Sequence, residues 1–295
     1  MANKSLTMNE SVYEQANRSV ITTRAFDTLS LIGLTLLFVV MLFPLLMVLT
    51  NSFKSEAEYA AGGPLTLPQS LSWESIRIMW NRMDYSIKLW NSFSISVLTA
   101  LLAIIISLFN AFALGIGKVK GGAFFLVFFL LAITVPQDVL VYPLYYFFKL
   151  IGLYDTRFSV ILTLAVLHSA FGTYLLTSVF SVTFPRELVE AALIDGCNKL
   201  QLLFRVVVPI SMPSLSVLFV FFFIWTWNEF FLPLVFLVSN DNQTVPIAMA
   251  LARGERGMAV TTQSAAALLG VVPCIIFFFL FQRTLTKGIT AGSVK

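Results

Sequence analysis

The sequence predicts an all-α polytopic membrane protein with six transmembrane helices. Hydrophobic residues make up 58% of the 295 positions and charged residues only 12%, with a mean hydropathy of +0.87. Both values lie far outside those of soluble domains, and a soluble domain of this size could not cover so much apolar surface, 29 Phe included. The apolar runs are long and unbroken, without the alternation of lipid-facing strands, so they form helices.

A span needs about 20 mainly apolar residues. Six stretches qualify: 29–49, 93–114, 123–142, 158–180, 210–234 and 265–281. The polar first 27 or so residues precede an apolar run too late and too long for a cleaved leader, so that run is a retained anchor. An even number of spans puts both termini on one side. Eleven of the nineteen Lys and Arg fall on that side, including Lys118, Lys120, Arg186, Lys199 and Arg205. It is therefore expected to be the cytoplasm. The largest outer loop runs from 51 to 91, with turns at Gly62-Gly63-Pro64 and Pro68. Residues 73–88 are expected to form short amphipathic helices at the membrane surface, with Trp73, Trp80 and Trp90 as interfacial anchors.

The polar punctuation is densest between Pro185 and Pro209. Pro185 suits a first helical position and Glu187 the first turn. Gly196 suits the residue just past a helix end, and Asn198 with Gln201 fits a capping box. These signals predict two short helices joined at Gly196, with the next apolar segment starting at Pro209 and Pro213.

The same stretch carries a resemblance. Glu190-Ala191-Ala192, Gly196, Val206 and Val208-Pro209 fit the spacing EAA-x3-G-x9-I-x-L-P. Val206 and Val208 are mild departures from Ile and Leu. The chain resembles the permease subunits of bacterial ABC importers, carbohydrate branch, and is similar to the smaller maltose-type permease. Pro143-Leu144-Tyr145, Gly152-Leu153-Tyr154-Asp155-Thr156, Trp227-Asn228-Glu229-Phe230 and the ending 288–295 support this.

The resemblance implies a type I importer permease fold in a bacterial inner membrane, with both termini cytoplasmic. Its parts are a cytoplasmic segment at 1–28, a first helix with a large outer loop at 29–90, a core at 91–283 containing a coupling loop at 185–209, and a cytoplasmic tail at 284–295. It implies that Glu190, Ala191, Ala192, Asp195 and Gly196 couple to an ATPase, with Leu188, Ala192, Leu202 and Phe204 as apolar contacts. It also implies that the tail reaches the ATPase and that the outer loop at 239–262 faces a solute-binding protein. The implied partners are a second permease, two ATP-binding subunits that hold ATP and Mg, the binding protein and a sugar.

Other chemistry finds little support. Gly115-Ile116-Gly117-Lys118-Val119 lacks the GxxxxGK[ST] spacing and reads as a flexible inner turn. A net charge of +4 without a basic block gives no nucleic-acid signal. One His, no metal-ligand cluster and no paired-carboxylate motif argue against an enzyme. Cys197 and Cys274 read as free thiols. The polar residues inside spans are His168, Asp138, Asn228 and Glu229. His168 is expected to bond a neighbouring helix. Asp138, Asn228 and Glu229, with Trp225, Trp227, Phe230 and Phe231, either face a translocation cavity or pack between helices. An ion-coupled transporter or channel is the alternative; it would want membrane-embedded ion couplers or paired half-helices, and the few scattered intramembrane charges support it poorly.

Overall fold

The computed structural model describes residues 2–117, 119–182, 184–254 and 258–291. Among these residues the elements are helical, in the order α1 (Ala2–Ser52), α2 (Glu56–Gly62), α3 (Glu74–Arg82), α4 (Tyr85–Ala111), α5 (Gly122–Thr134), α6 (Gln137–Leu150), α7 (Arg157–Val182), α8 (Arg186–Ile194), α9 (Lys199–Leu202), α10 (Val208–Asn228), α11 (Phe231–Phe236), α12 (Val245–Gly254) and α13 (Val260–Ala291). Wider π-turns at Phe112–Ile116 and Leu203–Val207 follow α4 and α9, and a short 3-10 turn covers Asn240–Asn242. Five continuous helices are long and apolar enough to cross a membrane: Asp27–Ser52, Tyr85–Ile116, Arg157–Ser181, Lys199–Asn228 and Val260–Arg283.

The third predicted span differs. Residues 123–142 are not one helix: α5 and α6 together pass as a span but are bent by 93°. The cause is Pro136, which starts α6 and forces its predecessor out of helical geometry. Val135 accordingly sits at φ −70°, ψ 121°. The fifth predicted span ends differently. Its helix runs from Lys199 without interruption through Pro209 and Pro213 and ends at Asn228, not Leu234. Glu229 adopts an extended ψ of 128°, and α11 begins two residues later. Pro209 lies just past the wider Leu203–Val207 turn, an irregularity of the kind that accommodates a proline inside a helix.

The centre of the bundle is the α4–α7 seam. Its buried residues are small: Ser96, Thr99, Ala100, Ala103, Ser107 and Ala111 on α4, and Ala165, Ser169, Thr173 and Thr177 on α7. In lipid there is no hydrophobic drive between helices, so close approach of small residues and interhelical hydrogen bonds must hold them. Ser107 Oγ donates to Ser169 O at 3.1 Å, and Asn110 Nδ2 donates to Thr173 Oγ1 at 3.3 Å. At Gly172 a Cβ would collide with the Ser107 side chain and reach 3.0 Å from Phe222 Cζ of α10. Leu176, Phe180, Leu203, Leu218, Phe222 and Phe223 close the core around this seam. Gly115, expected in a flexible turn, is instead packed: a Cβ there would lie 2.8 Å from Phe180 Cβ. Lys118 of that predicted turn lies outside the described residues.

The end of the bundle carrying α3 is tied by buried polar groups. Asn91 Nδ2 donates to Asp241 O at 2.6 Å and Gln243 O at 2.9 Å, while its Oδ1 accepts from Arg157 Nη1. Lys88, 1% exposed, donates to Asn240 Oδ1 at 3.0 Å and to the Asn240 carbonyl. Asp155 sits at φ +59°. Its carboxylate accepts from Val238 N at 2.9 Å, Ser239 N at 3.0 Å and the Ser239 hydroxyl. Partial burial raises the Asp155 pKa, but the bonds from Ser239, Val238 and Asn242 outweigh it and hold the carboxyl below its ordinary value of 3.8. The predicted surface helix is α3, which buries Ser75 and Met79. Trp73, Trp80 and Trp90 border an apolar groove between it and α13.

Two outcomes follow. Gly172→Val should overpack the seam and cost about 1–3 kcal/mol, read as a lowered unfolding midpoint of the detergent-solubilised chain; an unchanged midpoint would contradict the seam. A carboxyl held low in the fold stabilises above its ordinary pKa, and that contribution disappears as pH falls through the folded value. Asp155→Asn should therefore lower stability at pH 7 by about 1 kcal/mol and flatten the loss of stability seen in the parent chain below pH 3.8.

Candidate functional site

Two features stand out at different depths of the bundle: the segment 185–209 at one end, and a polar cleft inside. In the first, α8 ends in a Schellman motif. Cys197 N donates to Ala192 O at 3.0 Å, Gly196 N donates to Leu193 O at 3.1 Å, and Gly196 takes φ +80°. A left-handed residue at this position favours glycine. Asn198 and Gln201 then form the predicted capping box: Asn198 Oδ1 accepts from Gln201 N at 2.8 Å, and Gln201 Oε1 accepts from Asn198 N at 2.9 Å. Pro185 is the residue before the helix, with ψ 119°, rather than its first turn.

The second short helix is not separate. Four residues of α9 pass through the Leu203–Val207 π-turn directly into α10, so the segment is one short helix hinged to the start of a span. Its faces also divide differently from the sequence expectation. Ala192 and Leu202 are buried against the chain's own core, with Leu203 and Val207. They are therefore unavailable as partner contacts. Leu188 and Phe204 are exposed as expected, and are joined by Leu193, Leu200 and Ile194, the last 85% exposed. The helical period of α8 carried this signal, since Val189 and Ala192 share the inward face three residues apart and leave Leu193 and Ile194 outside. Glu190, Ala191, Asp195 and Gly196 are exposed. Glu190 lines a 200 Å³ cleft with Gly115, Gly117, Phe180 and Arg186.

The polar cleft is deeper. It has a volume of about 360 Å³ and is lined by Val135, Gln137, Leu167, His168, Phe171, Trp225 and Glu229, among others. His168 behaves as expected for an interhelical residue: its Nε2 lies 3.2 Å from Thr226 Oγ1, and its ring stacks on Phe222. Glu229 caps α11, with Oε1 accepting from Phe231 N at 3.1 Å and Leu232 N at 3.2 Å. Asp138 is exposed in the first turn of α6 and is not among the cleft residues. Asn228 lines a separate pocket with Trp227, Phe230 and Gly270. Gln137, Asn91, Lys88 and Asp155 are structural or cleft residues that sequence reasoning did not single out. Of these, Gln137 was signalled by its place directly after Pro136.

Among the described residues no group of three or more His, Cys, Asp or Glu gathers as a metal site. Cys197 and Cys274 are free thiols.

Comparisons with known proteins agree with this architecture. Residues 116–291 match the family described as "Binding-protein-dependent transport system inner membrane component". The "Inner membrane ABC transporter permease protein YcjP" of Escherichia coli is 32% identical over 89% of this chain and 94% of that protein. The "Sulfoquinovosyl glycerol transport system permease protein SmoH" of Agrobacterium fabrum is 32% identical over 90% and 93%. The "Arabinooligosaccharides transport system permease protein AraQ" of Halalkalibacterium halodurans is 30% identical over 90% and 95%. A chain of a solved bacterial ABC transporter involved in import of the acidic polysaccharide alginate superposes with a TM-score of 0.73 at 20% identity, covering 88% of this chain and 96% of that one. At that identity the likeness carries the fold alone, that of a type I importer permease. The family match spans more than half of the chain and includes both the hinged segment and the cleft. The chain belongs to the binding-protein-dependent transport system inner membrane components, the permease subunits of ABC importers.

Proposed function

We propose that this chain is the permease subunit of an ATP-driven importer of disaccharides or oligosaccharides, forming half of the translocation pathway. The relatives named for sugar cargo support the substrate class, and family membership favours this reading over an ion-coupled transporter. The observation that carries the mechanism is mechanical continuity. The hinged segment flows through Lys199 into a helix that ends at Asn228, beside the cleft. Thirty residues of helix span about 45 Å. A force on α8 is therefore delivered to the depth where Glu229 and Trp225 lie.

In this reading the segment 185–209 docks on a soluble ATPase subunit. Glu190, Ala191, Ala192, Asp195 and Gly196 are its coupling residues. Ala192 acts by seating α8 on the core, while Leu193, Ile194 and Leu200 meet the partner. ATP and Mg belong to two such partner subunits, and hydrolysis happens there. A second permease completes the pathway, and a solute-binding protein delivers sugar at the α3 end. The α8 end and both termini face the cytoplasm. Residues 292–295 of the tail assigned to the ATPase interface, and 255–257 of the loop assigned to the binding protein, lie outside the described residues. ATP binding drives the ATPase dimer closed and shifts the paired permeases from inward-open to outward-open; hydrolysis resets them. The shift requires ATP to favour one state differentially, since equal binding to both moves nothing.

The test is copurification of an ATPase subunit with the tagged chain from native membranes, comparing the parent with Ile194→Glu, Glu190→Lys and Gly196→Pro. Burying an isoleucine contributes about 1.5–3 kcal/mol, so Ile194→Glu should reduce captured ATPase by about tenfold or more. Gly196→Pro removes an N–H and forbids the positive φ, so it should disrupt the hinge. ATPase capture and ATP-dependent sugar uptake that persist in all three variants would overturn the docking assignment.

A further inference from the structure

The bend inside one span and the end of another meet at one place. The α5–α6 break at Val135–Pro136 and the α10–α11 break at Glu229–Phe230 both contribute to the 360 Å³ cleft, through Val135 and Gln137 on one side and Glu229 on the other. Irregular backbone at membrane depth is tolerated only where protein or a water-filled cavity covers it. An ionisable side chain at such a depth is costly, and in membrane proteins it faces an interior or an aqueous path. In secondary transporters, breaks inside spans line the cargo site, and here the bend in one span faces the carboxylate that follows another.

The side chains sort by role. Glu229 uses Oε1 for both backbone bonds to α11, which leaves Oε2 for another donor. Gln137 lies in the first turn of α6 and is exposed to the cleft; its amide offers both a donor and an acceptor. Trp225 is 40% exposed. Phe221 stacks on one face of its ring at 5.9 Å, and Phe222, His168 and Phe171 contact it at 5.8, 5.6 and 5.2 Å, which leaves the opposite face for a ligand. His168 is fixed in turn by Thr226 and Phe222, so it positions the indole rather than offering itself. An aromatic ring held from behind, flanked by an amide and a carboxylate, matches the chemistry of a sugar: an apolar C–H face ringed by hydroxyls.

We infer that this cleft is a sugar subsite supplied by this chain itself, with Trp225 as the stacking platform and Gln137 and Glu229 as hydroxyl partners. The inference rests on the sugar-import reading above. It assigns to this chain a direct part in choosing cargo, in addition to movement.

The experiment uses the complete importer, with its companion subunits and binding protein, reconstituted in proteoliposomes. The probes are labelled maltose, diacetylchitobiose and arabinotriose, and the readout is uptake of each per ATP hydrolysed. Trp225→Ala should reduce uptake per ATP by about tenfold, and Trp225→Phe should restore most of it. Glu229→Gln keeps the oxygen that caps α11 and removes the charge, so a fall in uptake there reports on cargo rather than on folding. Gln137→Ala should narrow the ratio between preferred and poor probes, because a site built to bond a hydroxyl discriminates against cargo lacking it. Asp138→Asn, outside the cleft on the same helix turn, is the control and should behave as the parent. Unchanged uptake and preference in both Trp225→Ala and Gln137→Ala would overturn the subsite while the importer reading stood. A parent assembly that hydrolyses ATP in response to its binding protein but takes up none of the probes would instead overturn the sugar class, and the subsite with it.

Discussion

A peptide group inside a bilayer has no water to bond, so each interruption of a helix there must be covered from within the protein or from a wet cavity. That constraint bears on the break after Thr134, which lies inside a span and faces the end of the helix that stops at Asn228. Each is locally repaired. Pro136 needs no donor partner for its missing N–H, and the Glu229 carboxylate receives the orphan N–H groups of Phe231 and Leu232. What remains exposed at the junction is side chain rather than bare backbone. The cleft is therefore the by-product of two repairs that share a wall, and its polarity comes from the residues making them.

The repairs hold only because the helices behind them do not move apart. The α4–α7 seam gives that rigidity through small residues. Ala100, Ala103, Ser107 and Gly172 let the backbones approach until ordinary side chains from α10, Phe222 above all, fill the remaining space. In water such a poor apolar interface would be weak. In lipid, tight contact and hydrogen bonds such as Ser107 to Ser169 are what distinguish a protein neighbour from a lipid tail. The first helix shows the contrast: residues 29–41 are largely leucine, phenylalanine and valine, and they are exposed. Such a surface suits lipid or another hydrophobic helix, not a small-residue seam.

Much of this was legible in the sequence. The six apolar stretches correspond to the spans, because length and hydropathy are properties of local composition. The Gly196 turn and the Asn198–Gln201 box were readable for the same reason: capping depends on residues three or four apart. The errors came where a global requirement overrode a local one. Pro209 and Pro213 read as a start signal, but the helix was already under way at Lys199 and passes through the wider Leu203–Val207 turn before Pro209. The stretch 123–142 read as one span, whereas its two helices are bent by 93° at Pro136. The period of α8 puts Val189 and Ala192 on one face, but that this face and Leu202 turn inward depends on where α8 sits against the core, which spacing within 185–209 does not specify. Asp155 was visible only as part of a matching string. Its work, holding Val238 and Ser239 from 83 and 84 residues away, is a tertiary contact with no sequence period.

The two ends of the bundle are built to opposite specifications, one from directed polar bonds and the other from apolar packing. At the α3 end, Lys88, Asn91 and Asp155 bind the 238–243 segment through many directed bonds, several to backbone carbonyls, and Arg157 holds Asn91. Such a network breaks only by leaving buried polar groups unpaired, which is expensive. At the α8 end, the hinged segment is anchored by Val189, Ala192, Leu202 and Val207, contacts that are apolar and non-directional and can slide. A π-turn, a helical irregularity common at functional sites, lies on each side of this joint, at Phe112–Ile116 and Leu203–Val207. The rings of Phe109 and Phe204 meet across it at 6.2 Å. A directed polar network at one end and apolar contacts at the other hold the long helix from Lys199 to Asn228 by different means at its two ends, and the cleft lies at the polar end.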